Sequence, residues 1–282
     1  MAAGEKCKFI EVFYSFQPNT TVMKRSFTLF VSCLLYFTVS SQPFKMTLEY
    51  GLGLPQSHMA HNIQAIHSVH LGGLYQLPNE WKNLSVGLDL GVGVYAHKTI
   101  HQTFNFDANT TTVVPVNYNS NVFNANLQAR YQLLDENSLV VPYVNAKAGL
   151  YNFYSNITIE DPEDPDGCHA LDRKNLINDN TFFWGAGAGF QINPSIFSKH
   201  KKDGPIKIDI SVNTMYGGKI DYINTKHLKE EPDMSEMGGK PLMVKFINVG
   251  TQDIHEHMVA QVYTSYLRIL EIRGGVIVSL GK

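Results

Sequence analysis

The sequence predicts an all-β fold, a closed antiparallel up-and-down transmembrane β-barrel of about eight strands. Three observations predict it. Hydrophobicity alternates with a period of two in eight separate segments, the charges in those segments share one parity, and the connections alternate between short and long. Successive side chains of a strand point to opposite faces, so each segment divides into two.

In chain order, the first segment sets Leu48, Tyr50, Leu52 and Leu54 against Thr47, Glu49, Gly51 and Gly53. The second sets Val69, Leu71, Gly73, Tyr75 and Leu77 against His70, Gly72, Leu74 and Gln76. In the third, Leu84, Val86, Leu88, Leu90, Val92 and Val94 oppose Ser85, Gly87, Asp89, Gly91, Gly93 and Tyr95. The fourth has Phe123, Ala125, Leu127, Ala129, Tyr131 and Leu133 opposite Asn124, Asn126, Gln128, Arg130 and Gln132. The fifth has Val144, Ala146, Ala148 and Leu150 opposite Tyr143, Asn145, Lys147, Gly149 and Tyr151. The sixth runs Phe182, Trp184, Ala186, Ala188, Phe190 and Ile192 against Phe183, Gly185, Gly187, Gly189 and Gln191. The seventh places Ile206, Ile208, Ile210 and Val212 against Lys207, Asp209, Ser211 and Asn213. The last, Leu270 to Leu280, puts Glu271 and Arg273 opposite Ile272, Val276 and Val278.

No apolar face carries a charge. Glu49, Asp89, Asp209 and Glu271, with Arg130, Lys147, Lys207 and Arg273, all fall on the other side. A charge facing lipid at the bilayer midplane costs ~2–4 kcal/mol, which gives this segregation a physical cause. Eight strands enclose a lumen that side chains can fill, so the predicted functional feature is a lumen charge network of these eight residues. A soluble barrel alternates equally well with its apolar face inward. The choice therefore rests on the export segment, the window lengths and the connections. Leu270 to Leu280 matches the ~9–11 residues that cross a bilayer with tilt, and Arg268 breaks parity at the edge of the lipid band.

Short connections are expected at Pro78–Asn83, Leu134–Asn137 and Asn193–Gly204, and loops at Pro55–His61, Lys98–Ser120, Asn156–Asn180 and Gly217–Met258. The long ones fall at one end, as extracellular loops do when the N-terminus is periplasmic. Outward aromatics are expected at the periplasmic ends (Tyr50, Tyr75, Tyr131, Phe190) and the outer ends (Phe123, Phe182, Trp184), since Trp and Tyr favour bilayer interfaces. Pro241 to Val249 could add a hairpin and raise the strand count to ten.

Met23 to Phe44 reads as an export signal: Lys24 and Arg25, an apolar run from Phe27 to Val39, then small Ser40 and Ser41 before Gln42. Domain expectations follow: residues 1–22 an over-extended start, 23–41 a signal peptide, 42–282 the barrel. A formal net charge of −2 gives no nucleic-acid surface, and no second long apolar run exists to build a helical membrane protein. After export only Cys168 remains of the three cysteines, too few for a disulfide framework or zinc site.

Other chemistry is weak. The acidic run Glu160 to Gly167 fails as a calcium loop, because its twelfth position would be Arg173. His255-Glu256-His257 lacks the spacing of a zinc protease. Ser68, His67, His70 and Asp89 form the nearest catalytic-looking constellation, and an interior hydrogen-bonded network accounts for them better. No catalytic, metal or cofactor site is expected.

The MKR-initiated leader ending Ser40-Ser41-Gln42, the eight alternating strands and the final run Leu267-Arg268-Ile269-Leu270-Glu271-Ile272-Arg273-Gly274-Gly275-Val276 resemble small outer-membrane β-barrel proteins of the Bacteroidetes type. That broad family is related in architecture to the membrane domain of outer membrane protein A. The resemblance implies a cell outer membrane location, outer-membrane lipid and the barrel assembly machinery as partners, and no set activity. Such barrels usually end in an aromatic residue; this chain ends Ser279-Leu280-Gly281-Lys282. The expected function is a non-enzymatic surface barrel whose loops bind an unidentified ligand or support the envelope. The alternatives are a narrow pore, a lipid-modifying enzyme and a soluble lipocalin-like carrier.

Overall fold

The computed structural model describes residues 44–105, 111–136, 138–160, 170–197, 204–226, 228, 239–247 and 254–280. The export segment with its preceding extension, Cys168, the acidic run after Glu160 and the side chains of His255, Glu256 and His257 lie outside the described residues.

Nine strands form one antiparallel sheet: β1 (Phe44–Pro55), β2 (Ile66–Gln76), β3 (Leu84–Asn105), β4 (Thr111–Gln132), β5 (Val140–Glu160), β6 (Ala170–Ile192), β7 (Ile206–Ile223), β8 (Lys240–Ile247) and β9 (Ile254–Ser279). A short helix, α1 (His58–Asn62), joins β1 to β2. Neighbours in sequence pair from β1 to β7, β7 pairs with β9, and β9 closes on β1 through pairs such as Leu48 with Val276 and Leu54 with Leu270. The wall is a closed barrel of eight strands. The segment from Pro241 does form a strand, β8, but it adds no stave. Val262 of β9 pairs with Ile223 of β7 on one edge and with Lys240 of β8 on the other, so β8 occupies the edge that β1 uses lower down.

Burial orients every stave. Leu88 is 61% exposed and Leu127 65%, whereas Asp89 and Arg273 are 0% and 2% exposed. Leucine side chains on this scale in water would lose the main driving force of folding. The outward surface instead matches the apolar band of a transmembrane barrel. Its height along β4 runs from Phe123 to Tyr131, with Leu133 just past the strand end, the length that crosses a bilayer with tilt.

Above that band the polarity turns over. On β4 the outward residues change from Phe123, Ala125 and Leu127 to Asn121, Asn119 and Asn117, while the inward ones become Ser120, Tyr118 and Val116, all fully buried. On β5 the outward row passes from Leu150 through Asn152 and Tyr154 to Asn156 and Thr158, with Tyr151, Phe153, Ile157 and Ile159 buried within. β6 repeats the change, from outward Phe182 and Trp184 to Asn180 and Asn178. The same wall is thus inside-out in lipid and has an apolar core in water. Two apolar clusters fill this upper tier, one around Met59, Ile63, Ile66, Phe153 and Leu267, the other around Ile100, Val116, Tyr118, Ile157 and Ile223.

This inversion corrects the expected loops. Much of Lys98–Ser120 belongs to β3 and β4, much of Asn156–Asn180 to β5 and β6, and much of Gly217–Met258 to β7, β8 and β9. The twenty-one residues of β5 extend ~70 Å at ~3.3 Å each, more than twice a hydrocarbon core of ~30 Å even before tilt shortens the span. Tyr50 also lies elsewhere than expected, midway along β1, where it pairs with Val69 and Gly274 rather than marking the periplasmic end.

Leu127→Lys places a charge in the middle of the band and is expected to cost ~2–4 kcal/mol in urea unfolding of vesicle-embedded protein. Asn180→Lys, outward but above the band, should stay within about 0.5 kcal/mol of the parent. Equal costs for the two would contradict the assigned boundary.

Candidate functional site

Inward parity gathers polar side chains from the staves into one column. The structure places all eight charged residues singled out from the sequence (Glu49, Asp89, Arg130, Lys147, Lys207, Asp209, Glu271 and Arg273) inside the barrel, each less than 8% exposed. Two further charges join them, Lys45 from the start of β1 and Glu136 from the turn between β4 and β5. Among the described residues the column then holds five bases and five acids, with His70 as an additional titratable group.

Arg273 is the hub. Its Nε donates to Glu271 Oε2 at 2.6 Å and Nη2 to Oε1 at 3.2 Å, a bidentate pair between inward neighbours on β9. Its Nη1 donates to Glu49 Oε2 at 3.2 Å and to Asp89 Oδ2 at 3.0 Å, tying β9 to β1 and β3. The planar guanidinium suits this, since its donors form a rigid fork matched to carboxylates. Lys147 Nζ approaches Glu271 Oε2 at 3.6 Å from β5. Asn126 Nδ2 donates to Asp89 Oδ2 at 3.0 Å.

A second hub lies below. Arg130 donates to Asp209, approaches Glu49 Oε1 at 3.7 Å and lies 4.0 Å from the centroid of the Tyr143 ring. The Tyr143 hydroxyl donates to Asp209 Oδ1 at 2.6 Å. Glycine makes room for these long groups: a Cβ on Gly189 would come within 2.5 Å of the Tyr143 hydroxyl oxygen, and one on Gly91 within 2.6 Å of Asn124 Nδ2.

At the base, Glu136 Oε1 sits 2.8 Å from Lys45 Nζ and 3.6 Å from Lys207 Nζ, and Lys207 also donates to the Glu136 carbonyl at 2.7 Å. Burial by itself pushes the Glu136 carboxyl up, but the Lys45 hydrogen bond and charge, with Lys207, outweigh it and hold the group below its ordinary value. Lys45 was within reach of sequence reasoning, because the parity of Thr47 and Glu49 extends to it. Glu136 was not, since alternation says nothing about a side chain in a turn.

The Ser68 constellation does assemble. Ser68 Oγ lies 2.8 Å from His70 Nε2, and His70 Nδ1 lies 3.5 Å from Asp89 Oδ2. His70 Nε2 is also 3.4 Å from Glu271 Oε1, Ser68 donates to the Gly51 carbonyl at 3.2 Å, and both side chains are buried. His67 faces the opposite way, outward on β2. The apolar cluster around Met59, Ile63 and Ile66 lies in the barrel interior, on the outer side of this layer. The Ser68 bond to the Gly51 carbonyl also ties β2 to β1. Among the described residues no group of three or more His, Cys, Asp or Glu is arranged to hold a metal ion.

A closed wall with lipid-compatible side chains outside and ion pairs inside is a membrane barrel. Walls of this kind are those of outer-membrane proteins, and the outer membrane is where this chain resides. No family model matches the chain. No curated protein matches it either. Among solved structures it is similar to Neisserial surface protein A at 12% identity, covering 85% of this chain and 97% of that one with a TM-score of 0.39. It is also similar to a major outer membrane protein from Thermus thermophilus, at 14% identity, 84% and 98% coverage and a TM-score of 0.40. The outer membrane protease OmpT from Escherichia coli matches at 7% identity, 85% and 97% coverage and a TM-score of 0.35. Likeness at that level lends no weight to any activity; the fold stands on strand pairing and burial.

Arg273→Met strands three carboxylates and is expected to cost ~3–5 kcal/mol in vesicle unfolding, with part of the loss restored when Glu271→Gln is added. A loss below about 1 kcal/mol, on the scale of an exposed pair, would contradict the hub. Glu136→Gln has a pH signature. A depressed carboxyl stabilises the fold above its unfolded value of ~4.3 and loses that contribution as pH falls through the folded value. The gap in urea midpoint between wild type and Glu136→Gln should be open at about pH 7 and close in acid.

Proposed function

We propose that the protein is a non-enzymatic, non-conducting surface barrel, exported from a Gram-negative cell of the Bacteroidetes type by a cleaved signal and inserted by the barrel assembly machinery. It holds a stiff, water-facing tier above the outer leaflet. The observation that carries this reading is the filling of the interior from base to top. Ion pairs around Arg130 and Arg273 occupy the level of the bilayer, and apolar clusters occupy the level above. An eight-stranded lumen is only wide enough for side chains to fill, which supports the non-conducting reading over a pore. The upper tier presents outward Asn and Thr side chains on β4, β5 and β6 around that core, a rigid support for the connecting segments where specificity resides. The lipocalin-like carrier is disfavoured by the apolar outer wall.

Refolded protein in planar bilayers is expected to show no steady conductance steps, and envelope lipid profiles should be the same with and without the gene. Cells bearing the protein should differ from cells lacking it in adhesion to extracellular surfaces or in envelope integrity. Steps of defined size would overturn the reading in favour of a pore, and a changed lipid profile in favour of an enzyme.

A further inference from the structure

We infer that the water-facing tier receives the extended C-terminal tail of an extracellular protein, which joins the wall as one added strand. Above Val94 and Ile269 the staves β1 and β2 have ended, and β8 takes the edge of β9 that β1 holds lower down. Among the described residues no strand takes the place of β2 there. From Ala96 to Asn105 β3 pairs with β4 alone, and β8 pairs with β9 alone. Their two open edges border the same one-strand place in the wall, and open edges are where an extended chain adds its backbone hydrogen bonds. Both strands run away from the membrane, β8 because Lys240 pairs with Val262 and Ile247 with Ile254. One strand descending between them is antiparallel to both, the direction that β2 has below.

Side chains beside the slot say what fits it. Lys98 has the inward parity of buried Ala96 and Ile100, and Lys240 has that of Leu242, which packs against the cluster around Ile100. Both lysines are exposed all the same, and the opening in the wall accounts for it. On each strand the lysine stands one inward position nearer the membrane than the apolar side chain. Lys98 Nζ donates to the Leu228 carbonyl at 2.7 Å, and an ammonium has two further donors. Residues 95–105 and 240–247 contain no Asp or Glu. A strand descending in the slot meets the start of β2 at Ile66 and has to stop there. Its last residue comes between Lys98 and Lys240, which suits a free α-carboxylate, and the inward side chain two residues earlier lies against Ile100 and Leu242. A second copy in the same membrane does not fit, because its β9 runs away from this tier to end at Ser279 on the periplasmic side.

The test uses the folded full chain in detergent micelles and an octapeptide of alternating threonine and valine, with fluorescein on its amino end and a free C-terminal carboxylate. Fluorescence anisotropy is expected to show saturable binding that weakens about tenfold when the carboxylate is amidated, the loss of two exposed ion pairs. Lys98→Gln combined with Lys240→Gln should weaken the carboxylate peptide as much and leave the amidated one unaffected. Lys219→Gln, exposed on β7 and outside the slot, should change neither. Amide hydrogen exchange should slow from Ala96 to His101 when peptide is added, and N-methylation of alternate peptide amides should abolish binding. Heat-modifiable gel mobility reports whether each variant is folded, and Lys240→Gln alone replaces the pair if the pair is not. Absent binding, binding indifferent to amidation, or binding that leaves exchange on β3 unchanged overturns the proposal, as does a dimer of the chain that excludes the peptide. The inference rests on the surface-binding reading and names its ligand. No peptide binding alongside an adhesion difference overturns the slot alone, and conductance steps alongside peptide binding overturn the non-conducting reading alone.

Discussion

Everything in this barrel follows from the cost of showing a charge to hydrocarbon. Ten charged groups at bilayer depth or just below have one place to go, the lumen, and once there they cannot stand alone. Removing a carboxylate or ammonium from water costs several kcal/mol per ion, recovered only with good geometry and further hydrogen bonds. Arg273 meets that condition by serving Glu271, Glu49 and Asp89 together, and Arg130 by serving Asp209 against the face of Tyr143. The glycines of the inner face are the geometric complement, since a narrow cylinder holds long side chains only where its neighbours have none.

The upper tier obeys the same rule with the solvents exchanged. Where β4 passes from Phe123 to Asn121, the environment outside passes from lipid to water, and the inward row answers with Tyr118 and Val116 in place of Asn124 and Arg130. One continuous stave therefore serves two solvents: the pairing of β4 with β5 keeps its register from Val116 to Gln132, while that with β3 shifts between Val94 and Ala96, at the seam itself. The Ser68, His70 and Asp89 arrangement belongs to the layer beneath that seam, where it joins β2 to β3 within the ion network.

Most of the membrane half was legible in the sequence, because alternation has a strict period and the eight charges inside the lipid-spanning windows, from Glu49 to Arg273, all keep the inward parity. The upper halves of β3 to β6 were not. A search for apolar residues on the outward parity ends where that parity turns polar, so strand reads as loop at the inversion. Alternation itself continues there, as in Asn156, Ile157, Thr158 and Ile159, and an inverted template would have found it. The contribution of Glu136 lay beyond any periodic reading, since its position depends on how the β4–β5 turn folds under the barrel. The added strand β8 was legible as a strand and illegible as to place, because only pairing shows which edge of β9 it takes.

The most direct measurement is site-directed spin labelling of the vesicle-embedded protein, comparing accessibility to oxygen with accessibility to a water-soluble nickel chelate. Labels at Leu88 and Leu127 should favour oxygen, and labels at Asn180 and Thr158 should favour nickel, with the crossover on β4 between Phe123 and Asn121. Nickel-accessible labels at Leu88 and Leu127 would contradict the account, because its outer wall would then be facing water.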